Sequence, residues 1–162
     1  MVTLSGKDSR KLGQRGISGP RNILVALSGN SLDGDLVRMA CFMAKPSKGR
    51  VFVVHVLEVP RTLPLDAQMD SQEVDIILDQ AVEAAEAVNG DVETEVVQAR
   101  DAGPGIVDEA HDRDCSLIIM GLAPRHRFGR FDMGHTVPYV LEHAKCRVFL
   151  IRESGQTAEE QP

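Results

Sequence analysis

Five short aliphatic runs alternate along this chain with segments whose apolar residues recur every three or four positions. That alternation constrains the fold more than any other feature. The runs are Asn22 to Leu27, Arg50 to Leu57, Val92 to Gln98, Leu117 to Met120 and Arg147 to Ile151. Between them Leu32, Leu36, Val37 and Ala40, then Val74, Ile77, Leu78, Ala81 and Ala85, then Ile106, Val107 and Ala110, and lastly Val137, Val140, Leu141 and Ala144 lie at helical spacing. Strands alternating with helices of this length predict a parallel sheet with helices on both faces. Leu117 to Met120 is unbroken and apolar, as a central strand covered on both faces must be. Right-handed crossovers leave few topologies, and ligands in such sheets bind beyond the carboxyl ends of strands, where the winding reverses.

The punctuation fits the same pattern. Ser28-Gly29-Asn30 stops the first run, Pro46, Ser47 and Gly49 break the first helix, and Asn89-Gly90 ends the second. Asp70 with Glu73 three residues later predicts a capping box at the start of the second helix. Gly103-Pro104-Gly105 reads as the loop before the third.

A chain of 162 residues is one domain and buries enough surface to need no staple. Trp is absent and Tyr139 is joined by only five Phe, so the core is aliphatic. Net charge −6 and so few aromatics exclude a basic, stacking groove for single-stranded nucleic acid. No stretch approaches the roughly 20 apolar residues of a membrane helix, and the N-terminus lacks the apolar region of a signal peptide. Cys41, Cys115 and Cys146 are widely spaced and odd in number, which reads as reduced thiols in a cytoplasmic protein. His143 and Cys146 have ligand-like spacing, but one pair does not complete a zinc site.

Residues 1–21 lack apolar periodicity and hold Lys7, Arg10, Lys11, Arg15 and Arg21 against one acid, Asp8. They read as a disordered basic tail, and 153–162 as a flexible polar one. The folded body is 22–152.

The segment Gly121-Leu122-Ala123-Pro124-Arg125-His126-Arg127-Phe128-Gly129-Arg130-Phe131-Asp132-Met133-Gly134-His135-Thr136 runs from a buried strand to a helix start. Helix N-termini present unpaired N–H groups and attract anions. Gly121 and Gly134 permit close backbone approach, Arg125, Arg127 and Arg130 add cations, and Thr136 adds a hydroxyl. These are the elements of an anion cradle; a solvated surface loop with glycine turns uses the same residues.

The first strand Ile-Leu-Val-Ala-Leu, the Val-Val-His-Val of the second, the Ile-Ile-Met-Gly ending the fourth and the closing His-Ala-Lys-Cys-Arg-Val-Phe-Leu-Ile-Arg resemble a universal stress protein domain over residues 22–152. Nucleotide-binding members of that family carry Gly, two residues, Gly, nine residues, then Gly-Ser or Gly-Thr. Here that frame keeps its spacing as Gly121, Pro124 and Gly134. Pro124 replaces the middle glycine, His135 replaces the hydroxyl residue, with Thr136 one place later, and Ser28 replaces the Asp that usually ends the first strand. The resemblance implies a Rossmann-like, adenine nucleotide alpha hydrolase-like fold with five parallel strands in the order 3-2-1-4-5. It implies ATP or AMP as ligand: phosphates on the N–H groups of Gly134, His135 and Thr136 beside Arg125 or Arg127, and the base near Leu27, Ser28, Val56 and Met120. It also implies a homodimer formed through the edge strand Arg147 to Ile151.

Two other readings stay open. Ser28-Gly29-Asn30-Ser31-Leu32-Asp33 is similar to the Ser-Gly-Gly-x-Asp-Ser loop of adenylating, pyrophosphate-releasing ATPases, with Asn30 in place of the second glycine and the acid one residue late. A turn followed by an N-cap at Asn30 or Ser31 explains the same residues. The third reading is an interaction module without a ligand. His55 reads as a packing residue of its strand. The expectation is a small cytoplasmic stress-response protein, with no nucleic-acid or membrane partner and no significant turnover; the sequence names no protein partner.

Overall fold

A computed structural model describes residues 19–69, 71–122, 125–127 and 130–153, the side chains of 125–127, 130 and 131 excepted. Seven strands and four helices follow in order: β1 Asn22–Leu27, α1 Asp33–Ala44, β2 Arg50–Glu58, α2 Gln72–Glu86, β3 Glu93–Ala99, α3 Ala102–Asp112, β4 Leu117–Leu122, β5 Arg125–Arg127, β6 Arg130–Asp132, α4 Thr136–His143 and β7 Arg147–Arg152. A 3-10 turn, Lys45–Ser47, follows α1 at Pro46.

The main sheet has the order β3-β2-β1-β4-β7, all parallel. This is the expected 3-2-1-4-5 arrangement of the five long runs. β1 is central and its residues divide between two cores. Ile23, Val25 and Leu27 pack under α1 and α2 with Leu36, Val37 and Ala81. Leu24 and Ala26 pack under α3 and α4 with Ile106, Ala110, Val137 and Val140. Successive strand side chains point to opposite faces, so a strand covered on both must be apolar throughout. Ile23, Leu24, Ile118 and Ile119 are fully buried, and truncating any one to Ala would cost roughly 2–5 kcal/mol. At the amino end of the sheet, Arg50 and Arg113 lie over the Phe52 ring at 4.9 and 4.7 Å and pair with Glu93 and Glu95.

Four local expectations change. The N-cap of α2 is Ser71, whose carbonyl accepts the N–H groups of Val74 and Asp75, and no side chain caps it; Asp70 lies outside the described residues. Gly103-Pro104-Gly105 is the first turn of α3 rather than a loop. The N–H groups of a helix's first turn have no intrahelical acceptor, so a proline there forfeits no helix hydrogen bond. The two glycines let α3 approach its neighbours, since a Cβ at Gly103 would stand 2.8 Å from the Tyr139 ring and one at Gly105 3.2 Å from Val56. The segment after β4 contains an antiparallel hairpin, β5 with β6, pairing Arg125 with Asp132 and Arg127 with Arg130. Lastly, Pro20 and Arg21, assigned by sequence to the tail, are tied to the body. The Pro20 carbonyl accepts the Ser47 hydroxyl at 2.6 Å, and the Arg21 carbonyl accepts the Arg50 N–H at 2.9 Å. The remainder of both tails, 1–18 and 154–162, lies outside the described residues.

Candidate functional site

The strand order reverses at β1, between β2 and β4. A cleft of about 510 Å³ opens there, at the carboxyl ends of these strands, within the 300–1,000 Å³ common for small-ligand sites. Its apolar part is Ala26, Leu27, Val56, Ile106, Met120 and Val137. Its polar part is Ser28, Asn30, His55, Glu58, His135 and Thr136. Leu27, Ser28, Val56, Met120, Gly121, Gly134, His135 and Thr136, drawn from four separate elements, therefore meet in one cavity. Arg125 and Arg127 lie on β5, and their side chains are outside the described parts, as is Pro124 entirely.

The two glycines of the spaced frame differ in purpose. Gly134 has φ +68° and a Cβ there would meet nothing within 4 Å. It supplies a left-handed turn into α4 with open space beside it. At Gly121 a Cβ would stand 3.2 Å from Leu36 and 3.3 Å from Leu32. That glycine accommodates the packing of α1 on β4, which corrects the expectation that it clears room for a ligand.

Three residues that the sequence reading left out of the site organise it. His55 Nδ1 lies 3.0 Å from the Leu27 carbonyl oxygen. A carbonyl only accepts, so Nδ1 carries the proton, and in the neutral ring Nε2 is an acceptor. Glu58, on the cleft wall, accepts the Ala102 N–H at 2.9 Å through Oε1 and so closes the start of α3. Asp132 Oδ1 accepts the Gly134 N–H at 2.9 Å just ahead of α4. The spacing of an Asp two residues before a glycine marks this last contact in the sequence; the Glu58 contact spans 44 residues and has no local mark.

The loop after β1 is closed in the same way. Asp33 accepts the Ser28 N–H at 3.2 Å and the Gly29 N–H at 2.7 Å. The Asn30 side chain accepts the Leu32 N–H at 2.9 Å, which is the turn of the turn-and-cap reading; the N-cap of α1 is Leu32 rather than Asn30 or Ser31, and no side chain caps it. Elsewhere, Cys41, Cys115 and Cys146 are free thiols. Burial, with Cys146 nearby, pushes the Cys115 thiol up to about 12. Among the described residues no three His, Cys, Asp or Glu side chains converge as metal ligands, and no helix is long and apolar enough to cross a membrane.

The model of the universal stress protein family matches residues 19–152. The chain belongs to the universal stress protein family. Solved structures agree. A universal stress protein from Archaeoglobus fulgidus is 25% identical, with TM-score 0.68, over 80% of this chain and 97% of that one. The universal stress protein from Archaeoglobus fulgidus in complex with dAMP is 21% identical, with TM-score 0.63, over 80% and 96%. A universal stress protein family protein from Arabidopsis thaliana with AMP bound is 15% identical, with TM-score 0.60, over 88% and 96%. No curated protein matches the sequence significantly. Against the family's nucleotide-binding frame, this universal stress protein keeps the glycine that needs a left-handed turn, Gly134, and places Ser28 and His135 where that frame has an Asp and a hydroxyl residue.

Proposed function

We propose that this universal stress protein binds an adenine nucleotide in the cleft at the carboxyl ends of β1, β2 and β4, and holds it without significant turnover, as a cytoplasmic stress-response protein. The observation that carries the reading is the meeting of Leu27, Ser28, Val56, Met120, Gly134, His135 and Thr136 in one cavity of about 510 Å³ at the winding reversal. The base packs on the apolar wall of Val56 and Met120. The phosphate faces the first turn of α4, where the N–H groups of His135 and Thr136 and the Thr136 hydroxyl are at hand. The dAMP and AMP complexes of the Archaeoglobus fulgidus and Arabidopsis thaliana proteins support this choice of ligand.

The reading without significant turnover draws support from how the acids are used. Phosphoryl transfer needs groups that position a metal ion or an attacking water. Asp33 and Glu58 are each engaged on backbone N–H groups, and so is Asp132. The loop after β1 offers Asp33 the N–H groups that would wrap a pyrophosphate, which disfavours the adenylating reading. The test is calorimetric titration of AMP into wild type and Ser28→Trp, which projects an indole into the cleft from an exposed position. Wild-type binding with loss of at least tenfold in the variant is expected. Equal affinity in the two proteins would remove the ligand from this cleft, and no wild-type binding at millimolar AMP would leave an interaction module.

A further inference from the structure

Two methionines line the cleft, and they differ in what can reach them. Met120, on β4, is 4% exposed and packs in the core under α3 and α4. Met133, between β6 and α4, is 40% exposed. The turn that follows it is held by Asp132 on the Gly134 N–H, with Gly134 at φ +68°. Met133 thus stands on the cleft wall just ahead of α4, where solvent reaches it. The thiols compete poorly with it for an oxidant. Thiolate is the reactive form of cysteine, and burial raises Cys41, Cys115 and Cys146 above the ordinary thiol range, Cys115 to about 12. All three therefore stay protonated near neutral pH. A thioether has no proton to lose, so its exposure governs its oxidation.

We propose that Met133 is a modification site of the cleft, oxidised by hydrogen peroxide to the sulfoxide, and that this oxidation weakens nucleotide binding there. The proposal rests on the nucleotide-binding reading above. In the step the sulfur lone pair attacks one peroxide oxygen. The S–O bond forms and the O–O bond breaks. The departing hydroxide takes the proton of the transferred oxygen and leaves as water. Sulfur gives up two electrons and the peroxide gains them. The product replaces an apolar stretch of wall with a polar one. Its oxygen is an acceptor, and the N–H groups of His135 and Thr136, just along the chain, are the donors that the phosphate uses in this reading. Competition by one hydrogen bond of ordinary strength lowers affinity about three- to tenfold. Met39, on α1, is 39% exposed and lies outside the cleft, so its oxidation leaves the nucleotide site untouched.

The experiment exposes wild type, Met133→Leu and Met39→Leu to graded hydrogen peroxide and quenches with catalase. Peptide mass mapping follows the gain of one oxygen at each methionine. Calorimetry gives the AMP affinity of each treated protein relative to its own untreated sample, and circular dichroism follows the fold. Met133 should oxidise alongside Met39 and well before Met120, and saturating AMP should slow oxidation at Met133 but not at Met39. Oxidised wild type and oxidised Met39→Leu should bind AMP about three- to tenfold more weakly, while oxidised Met133→Leu should match its untreated sample. Methionine sulfoxide reductases, and not dithiothreitol, should restore the wild-type affinity. Equal loss in Met133→Leu and wild type, or full oxidation of Met133 with affinity unchanged, would overturn the proposal and leave nucleotide binding intact. Restoration by dithiothreitol would move the effect to a cysteine, and a collapsed helical signal in oxidised wild type would make it unfolding; either overturns the assignment. Failure of untreated wild type to bind AMP would overturn the binding reading together with this one.

Discussion

Asp33 reaches back to the end of β1 and accepts the Gly29 N–H at 2.7 Å, with the Ser28 N–H on its other oxygen at 3.2 Å. The acid therefore belongs to the loop it closes. Gly29 has φ +79°, a left-handed conformation in which its N–H can meet a side chain four residues ahead. A loop with its donors satisfied internally is a rigid rim to the cleft.

That rim has a pH signature. Burial raises the Asp33 carboxyl above its ordinary range, by more than the N–H groups of Ser28, Gly29 and Asn30 and the charge of His55 lower it. A carboxyl raised on folding contributes stability that is present at low pH and is lost as the pH climbs through its folded value. Asp33→Asn cannot ionise and lacks that loss. Its stability relative to wild type, read from urea midpoints between about pH 3 and pH 6, should rise with pH. A relative stability that falls over this range would mean that the hydrogen bonds outweigh burial.

Two glycines should respond oppositely to a side chain. At Gly49 a Cβ would stand 2.0 Å from the Arg21 carbonyl oxygen and 2.7 Å from that of Pro20, which are backbone atoms held at the amino ends of β1 and β2. Gly49→Ala should cost about 1–3 kcal/mol. Gly134 has open space and only its positive φ to satisfy. Gly134→Asn should cost less than about 1 kcal/mol, since Asn tolerates the left-handed region. Denaturant unfolding of both variants checks the pair; the reverse order would contradict the packing account.

How far the fold was legible in the sequence depends on the range over which each signal acts. The alternation of short apolar runs with helical spacing is local, so the parallel sheet with helices on both faces followed from it, whereas the strand order 3-2-1-4-5 came with the resemblance to the universal stress protein family. The β5–β6 hairpin did not, because Arg125–Arg127 and Arg130–Asp132 are three residues each, too short for any period to register. Gly103-Pro104-Gly105 carries a loop composition and forms a helix start, because its glycines answer to Tyr139 and Val56, distant in sequence. The cleft's apolar wall was legible for the same reason as the sheet. Its acids were not: Glu58 meets Ala102 across 44 residues, and Asp33 was legible only as a misplaced member of a phosphate loop.

The outer edge of β7 bears on assembly. Among the described residues β7 pairs only with β4, and its Phe149 is 42% exposed. An unpaired apolar edge invites pairing with a second copy, and we propose a two-fold dimer through Arg147–Arg152. Analytical ultracentrifugation at micromolar concentration should give twice 17.7 kDa for wild type and a monomer for Phe149→Lys, whose charges meet across the two-fold. A monomeric wild type, or a dimeric variant, would contradict this interface.

The central claim is that the cleft between β1, β2 and β4 holds an adenine nucleotide. Amide chemical-shift mapping of the protein during AMP titration tests it residue by residue. The account predicts saturable shifts confined to Ser28 and Gly29, to Val56 and Glu58, to Met120 and Gly121, and to Gly134 through Thr136. Shifts centred instead on the cavity at the opposite end of the sheet, at Cys115, Lys145 and Cys146, or no shifts at millimolar AMP, would contradict it.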